Sequence, residues 1–532
     1  MDASGGGGAG PAESLHAAVS AAPESGGWAE VERLIERHWS ALILDAPDAL
    51  LSAVMALPEE VVLARPRWVS ARNYLAYLPV DGALRPLRYR DSAPPALGGG
   101  LLDVLVQHTS RAAALRDAGE TERAVVWVSD ARRLLGEATE EALVELQPNL
   151  PDLHCQWAKA REFAGDSPAA FREYLDAYDL AVVTGNELIA RNAAGGIAWL
   201  HTLAGRSGEA LEWLARVPRA AGGEGWAHTR YGMAAHLSRV VGHLDRLEFD
   251  AAAELADRVL DVKLAPEYWA AILLVRARLA RHRGDAREVL TELDATVQSR
   301  TEAASRQGAN AYYLALARAE LAIELNQTAR AVTALSEVPD IPIAASYRDL
   351  ARAVVASLSA DAAGAARSLD ALLAAQPSPP PRVVSEALVL RAAVRIRLGE
   401  AAEAAEDFRQ AAGVMRAEGL LGAFRVLTRA DFDALVAANR DRPEADWARE
   451  VVGDRPLFLP EPVGVAPLAA LTPRERSVLA ELASGDSLGA IAARLFVSQN
   501  TVKSQLRSAY RKLGVSNRLE AESAVARLGL RG

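Results

Sequence analysis

The sequence predicts an all-α protein: an α-solenoid of stacked helical hairpins, then a break, then a small separate helical domain. Three observations carry this expectation. An Ala-rich amphipathic hairpin recurs eight times between about residue 100 and residue 415, a Pro-rich stretch interrupts the pattern near residue 460, and charge is spread unevenly. The 532 residues sum to a net charge of −10, yet Leu471–Gly532 holds ten Lys or Arg against five Asp or Glu, which leaves −15 for the 470 residues before it. A chain this long exceeds what one hydrophobic core can organise. Such charge asymmetry is the footprint of a nucleic-acid module attached to something else.

Residues 1–26 open with a run of small residues, "MDASGGGGAGPAES", that offers no face to bury, and are expected to be a disordered tail. Helices follow in "WAEVERLIERHWSALI" and "PDALLSAVMALPEEVVLARPRWVSARNYLAYL", and "DSAPPALGGG", residues 91–100, separates them from the array. The eight hairpins begin with "RAAALRDAGETERAVVWV" and end with "RAAVRIRLGEAAEAAEDF". Aligning their turns places Gly119, Gly165, Gly208, Phe249, Gly284, Asn326, Ala360 and Gly399 in equivalent positions, 34 to 46 residues apart. That spacing is the one expected of paired-helix repeats, so the region 27–450 reads as a tetratricopeptide-like array, although the full tetratricopeptide consensus is not met. In the last unit Leu390, Val394 and Leu398 share one face and Ala401, Ala405, Phe408 and Ala412 another.

Residues 451–470 read as a linker, because Pro456, Pro460, Pro462 and Pro467 lack backbone donors and disfavour helix before them. The domain 471–532 then opens with Thr472, Pro473 and Glu475, a capping box with proline at the first helical position. Val478, Leu479 and Leu482 give this first helix its apolar stripe. A second helix starts at Ser487 and buries Leu488, Ile491, Ala492 and Leu495. "FVS" is the turn, held by Leu495 and Val497, and Ser498 caps a third helix, "QNTVKSQLRSAYRKL". Its apolar face is Val502, Leu506, Ala509 and Leu513; Asn500, Lys503, Ser504, Arg507 and Arg511 lie opposite. A fourth helix follows in "GVSNRLEAESAVARL", with Asn517 and Glu520 as its capping pair.

No acidic residue occurs between Asp486 and Glu520, while Arg494, Lys503, Arg507, Arg511, Lys512 and Arg518 do. An acid-free basic helix after a helix and a three-residue turn suits an element that must approach phosphates before reaching base edges. With "LTPRE", "IAARLFVS", "TVKSQL", "YRKLGV" and "NRLEA" in order, this domain resembles the four-helix LuxR-type helix-turn-helix domain. The resemblance implies a transcription regulator that lays its third helix in the major groove of double-stranded DNA and binds as a homodimer, with RNA polymerase as a further partner. It implies that Lys503, Ser504 and Arg507 face base edges, and that Ser498, Asn500, Thr501, Gln505, Arg511, Lys512, Arg494 and Arg518 position the domain on phosphates. Where that family commonly has a Lys-Glu pair, this chain has Gly489 and Ala490. The second helix should therefore be less stable by roughly 1 kcal/mol.

The array is also similar to the sensor region of MalT-type large LuxR regulators, through "LPEEVVLARPRW", the loose hairpins and "AEGLLGAFRVL". That likeness implies an effector, a protein, peptide or small molecule, bound by the array. Those regulators carry a phosphate-loop ATPase, whereas here no lysine follows a glycine, so no such loop can be drawn.

Other chemistries find little support. "GDSLG", residues 485–489, has the nucleophile-elbow pattern, but the elbow needs a strand before it and both flanks here are helical; Ser487 serves better as a helix cap. The histidines form no H-E-x-x-H, and His154 and the single cysteine, Cys155, leave no metal or disulfide framework. No catalytic residue, cofactor or metal is expected, so the protein should not be an enzyme. With no membrane-length apolar run and no positively charged leader, a cytoplasmic protein is expected. The rival from another class is a protein-interaction scaffold ending in a bundle that does not bind DNA.

Overall fold

The computed structural model of the chain describes residues 10–75, 100–217, 226–261, 267–339, 341–461, 471–482, 487–513, 518 and 521, with 226–230, 342 and 511–513 by backbone alone. Among these residues every regular element is a helix, apart from one isolated bridge between Thr428 and Leu459. The eight expected hairpins are all present: Leu101–Asp117 with Thr121–Gly136, Leu150–Ala164 with Ser167–Thr184, Glu187–Ala204 with Ser207–Ala215, Trp226–Asp245 with Phe249–Val259, Trp269–Arg283 with Ala286–Gln298, Gly308–Glu324 with Thr328–Ser336, Pro342–Leu358 with Ala362–Leu373, and Pro381–Leu398 with Ala401–Glu418. The protein is an all-α, tetratricopeptide-like array of helical hairpins, followed by a small helical domain from Leu471.

One backbone device closes nearly every hairpin. The first helix ends on a residue in the left-handed region, and the next N–H returns to a carbonyl five residues back, as in Asp166 to Arg161 (2.9 Å), Gln327 to Ala322 (2.7 Å) and Glu400 to Arg395 (2.9 Å). This is the Schellman closure, which satisfies carbonyls that the helix end would otherwise leave unpaired. The left-handed residues are Gly119, Gly165, Gly205, Leu247, Gly284, Asn326, Ala360 and Gly399. Six are the residues aligned from sequence. The other two differ: Gly205 and Leu247 stand where Gly208 and Phe249 were expected, since Gly208 lies inside the following helix and Phe249 begins one. Gly119 is fixed twice over, by a φ of +87° and by the Ala304 backbone, which would lie 2.2 Å from a Cβ placed there.

The two helices of a hairpin are buried differently. In Glu187–Ala204 every residue from Asn192 to Leu200 is buried, so this helix is enclosed on all sides. Pro381–Leu398 behaves alike from Ser385 to Leu390. Second helices bury one stripe only, as in Ala365, Leu369 and Leu372 of Ala362–Leu373. At the tip of the last hairpin Leu398 is 40% exposed and Ala401 is exposed, so the face expected through them stops one turn short.

Two compact units divide the chain: Met1–His243 with Asp250–Val275 and Ala295–Tyr313, and Leu244–Phe249 with Arg276–Asp294 and Leu314–Gly532. In the first, residues 11–25 depart from the disordered tail expected over 1–26: they form the helix Pro11–Ser25, with Leu15 and Ala22 buried against Val31, Ile35 and Leu42. Pro11 starts the helix and the Leu15, Val19, Ala22 stripe gives it a face, a signal that the preceding glycines obscured. Residues 1–9 lie outside the described residues, as do 91–99 of the separator.

In the second unit the expected linker also departs from expectation over its first half. The helix Pro443–Val452 runs into it, and the extended residues 453–461 pack back on the unit, with Leu457 and Leu459 buried and the Leu459 N–H donating to Leu427 O at 2.7 Å. The prolines prevent helix, as expected, but Leu457, Phe458 and Leu459 between them are apolar enough to dock. Residues 462–470 lie outside the described residues.

Candidate nucleic-acid interface

The C-terminal domain is built from Pro473–Leu482, Leu488–Arg494 and Gln499–Leu513. Each helix start carries the cap read from sequence. Thr472 N–H donates to Glu475 Oε2 (2.6 Å) while Glu475 N–H donates to Thr472 Oγ1 (3.2 Å), a reciprocal capping box. Ser487 Oγ accepts from Ala490 N–H at 3.3 Å, and Ser498 Oγ accepts from Thr501 N–H at 3.1 Å. Ser487 is therefore a helix cap; Gly485 and Asp486 of the "GDSLG" pattern lie outside the described residues.

Between the second and third helices the chain turns by the closure used in the hairpins: Val497 N–H reaches Ala492 O at 3.0 Å, with Phe496 in the left-handed region at φ +54°. A bulky residue there costs about 1–2 kcal/mol. Phe496 is 95% exposed and Val497 39% exposed, so of the two residues expected to hold the turn only Leu495 packs against the core.

That core consists of Leu471, Val478, Leu479, Leu482, Ile491, Ala492, Val502, Leu506, Ala509 and Ala521. Val502, Leu506 and Ala509 fix how the third helix is rolled about its axis. The roll leaves Asn500, Lys503, Ser504 and Arg507 exposed on the opposite face, where Lys503 and Arg507 have no carboxylate partner among the described residues. Two cations one helical turn apart, without carboxylate partners among the described residues, on a helix held by an apolar core, form a surface suited to a polyanion. Ser498 is exposed and Thr501 and Gln505 half-buried. The Ser504 hydroxyl donates to Thr501 O at 2.9 Å, and Ser498 and Thr501 share a hydroxyl contact of 2.8 Å.

Other positions read as phosphate contacts are placed differently. Arg494 Nε donates to Glu481 at 2.7 Å, tying the second helix to the first, and Arg518 Nη2 donates to the last carbonyl of the first helix, Leu482 O, at 3.3 Å. Charge alone cannot distinguish such internal roles from outward ones. The side chains of Arg511, Lys512 and Leu513, and the residues Asn517 and Glu520 expected to cap a fourth helix, lie outside the described residues.

Elsewhere, one group has the residue types of a metal site: His154, Glu173 and Asp176, with ligand atoms within 4.8 Å of one another. His154 Nδ1 lies 2.9 Å from Glu173 Oε2, but Arg132 Nε (3.3 Å) and Arg161 Nε (3.6 Å) pair with the other oxygen of Glu173, and Arg132 Nη1 lies 3.6 Å from Asp176. Guanidinium groups stand where a cation would have to approach, so the group is an ion-pair network. Cys155 is buried, and burial pushes its thiol up to about 12, which removes it as a nucleophile.

A capped first helix, a second helix, a tight turn and a third helix with a basic outer face define a helix-turn-helix domain. Its family follows from sequence: residues 469–524 match the family described as bacterial regulatory proteins, luxR family, and form a LuxR-type DNA-binding domain. The same region is 56% identical over 55 residues to the probable transcriptional regulatory protein SgaR of Hyphomicrobium methylovorum, 10% of this chain and 26% of that protein. It is 48% identical over 63 residues to the probable transcriptional regulatory protein NarL of Mycobacterium tuberculosis, 12% and 29% of the two. It is also 49% identical over 55 residues to the nitrate/nitrite response regulator protein homolog of Haemophilus influenzae, 10% and 26%. The chain thus spans about a quarter of the length of the curated relatives it matches. Those relatives are named as regulators, not enzymes. Among solved structures, the P58(IPK) TPR domain overlaps 65% of this chain and 98% of that one at 15% identity, with a TM-score of 0.19, too low to bear on the fold. The helical array before the domain is consistent with a MalT-like architecture. Among the described residues no helix is long and apolar enough to cross a membrane.

Proposed function

We propose that this chain is a cytoplasmic transcription regulator whose hairpin array binds an effector and thereby controls how the LuxR-type domain, residues 471–532, engages double-stranded DNA. The observation that carries the reading is the third helix: Val502, Leu506 and Ala509 locked inward, Lys503, Ser504 and Arg507 presented outward. In this reading Lys503, Ser504 and Arg507 read base edges, and Ser498, Asn500, Thr501, Gln505, Arg511 and Lys512 set the domain on phosphates. Arg494 and Arg518, which have partners within the domain, contribute charge to the phosphate surface and hold the helices that carry the others. The domain binds as a homodimer on two half-sites, and RNA polymerase is its further partner.

The charge distribution supports a tethered arrangement. A balance of −15 over the first 470 residues repels the duplex, so DNA is met through the +5 domain alone. The test is selection of bound fragments from the host genome by the full chain, followed by a salt series on the fragment recovered. A DNA reader gives a log affinity falling linearly and steeply with log salt. A flat series, or no enriched fragment, would refute the proposal in favour of a protein-interaction scaffold.

A further inference from the structure

The unit that contains Met1–His243 buries two cations that share a single carboxylate. Arg116, near the end of Leu101–Asp117, has a side chain 2% exposed, and Lys159, in Leu150–Ala164, one 6% exposed. Both turn to Glu267: Arg116 Nη2 lies 2.6 Å from Oε1 and Lys159 Nζ 3.3 Å from Oε2. Arg116 Nη1 donates to Gln156 O (3.2 Å) and Nη2 also to Gln156 Oε1 (3.0 Å). Among the described residues its Nε is buried without a partner, and Lys159 makes one hydrogen bond, to Glu267, of the three it could donate.

An unpartnered guanidinium Nε also occurs in the closed pair of Arg382 with Asp245, so what sets this group apart is its charge balance: two desolvated cations face one shared carboxylate, and their mutual repulsion and desolvation are only partly offset. Glu267 is the least buried member of the ion group, at 18%, and lies just before the helix Trp269–Arg283, whose N-terminal dipole favours negative charge nearby. Its neighbour Tyr268 donates a hydrogen bond to Glu162 Oε2 (3.3 Å), which also accepts from Tyr174 (2.6 Å). Burial raises Glu162 to about 7, so this nearby carboxyl compensates Lys159 only partly at neutral pH.

We propose that Arg116, Lys159 and Gln156 form a binding site for a small molecule bearing a carboxylate or phosphate group, and that Glu267 occupies it as an internal anion which the ligand displaces. A bidentate oxyanion would take the guanidinium and ammonium donors together. Displacing Glu267 would also draw Tyr268 from Glu162, so occupancy is transmitted to the start of the Trp269–Arg283 helix. The biological use of the site rests on the effector-sensing part of the proposed function; binding itself does not.

The experiment is thermal unfolding of the full chain without DNA, titrated with sodium acetate or inorganic phosphate against sodium chloride at equal ionic strength. Glu267→Ala should unfold at a lower temperature than the wild type and be restored saturably by acetate or phosphate; which anion acts assigns the ligand class. The wild type should need at least tenfold more anion, since Glu267 competes, and Lys159→Met added to Glu267→Ala should abolish the response. If Glu267→Ala does not fold, Glu267→Gln takes the same titration, and the wild-type curve is read alone if neither folds. A response no greater than that to chloride would overturn the site and make the cluster a structural ion triad. A failure here leaves DNA binding untouched, and a failure of DNA binding leaves this readout intact.

Discussion

Arg281 reaches the backbone of Leu457, 176 residues further along the chain: its Nη1 lies 2.8 Å from the Leu457 carbonyl oxygen. The same nitrogen lies 2.9 Å from Arg425 O, and Nε donates to Glu324 at 2.7 Å. One guanidinium thus pins the extended segment ahead of the DNA-binding domain to the helices around Glu324 and Arg425. Glu461 reinforces the attachment by accepting from Ala430 N–H (3.0 Å), and the Phe458 ring lies 5.0 Å from that of Phe432. Arg281→Ala should release the segment at a cost of about 2 kcal/mol, the worth of charge-assisted bonds to two carbonyls. Hydrogen exchange at the Leu459 amide, which donates to Leu427 O, reads this directly. About 30-fold faster exchange is expected there, with global stability lowered by at least the same ~2 kcal/mol because the contacts are lost from the native state; an unchanged rate would show that the apolar contacts hold the segment unaided.

The two faces of the third helix predict opposite phenotypes. Lys503→Ala and Arg507→Ala should each weaken binding to a cognate duplex by about 1–3 kcal/mol and leave thermal unfolding unchanged, because both side chains are exposed and lack carboxylate partners among the described residues. Leu506→Ala should instead cost the domain about 2–5 kcal/mol of stability, through the cavity it leaves in the core it shares with Val478 and Ile491. Affinity measured well below each variant's unfolding temperature separates the effects. Wild-type affinity in both charge variants would sink the assignment of this helix to DNA.

What was legible in the sequence follows from which signals are local. The eight hairpins and the third helix were legible because apolar spacing and caps such as Thr472–Glu475 are written within a few residues. The turn residues were partly legible. A glycine marks a left-handed position, but Leu247, Asn326, Ala360 and Phe496 adopt it because helix closure imposes it, and Leu247 carries no compositional mark. Docking of residues 453–461 was not legible: prolines exclude helix, while the partners that receive Leu459 and Glu461 lie at Leu427 and Ala430. The same holds for the Arg494–Glu481 pair and for the gathering of Arg116, Lys159 and Glu267, all set by tertiary contact.

Glu162 makes stability depend on pH, with the folded state favoured on the acid side. Desolvation by burial raises its carboxyl to about 7, against 4.5 for the ordinary group, and the hydrogen bonds from Tyr174 and Tyr268 only partly offset it. Between those two values the folded state binds the proton more tightly than the unfolded chain. Stability contributed by the protonated form is therefore present below about 4.5 and is lost as pH rises through about 7. Glu162→Gln keeps an acceptor for Tyr174 and removes the ionisation, so it should flatten the fall in denaturation midpoint between pH 5 and pH 8, a range set to bracket the shift. Denaturant titrations of both proteins across that range supply the test, and parallel curves would count against the raised value.

Gly489 weakens the second helix of the DNA-binding domain. It stands in the first turn of Leu488–Arg494, where glycine costs roughly 0.5–1 kcal/mol relative to alanine. A Cβ at this position would lie 2.7 Å from Gln499 Nε2, the far end of a flexible, exposed side chain at the start of the third helix. The obstacle can therefore swing away, and Gly489→Ala should raise domain stability by about 0.5–1 kcal/mol. Because Gln499 is not among the side chains assigned to base edges or phosphates, affinity for a cognate duplex should stay within about twofold. If the variant is instead less stable, Gln499 is held against the second helix by more than its own packing. If affinity drops with stability raised, the position of Gln499 over Gly489 is part of the DNA surface.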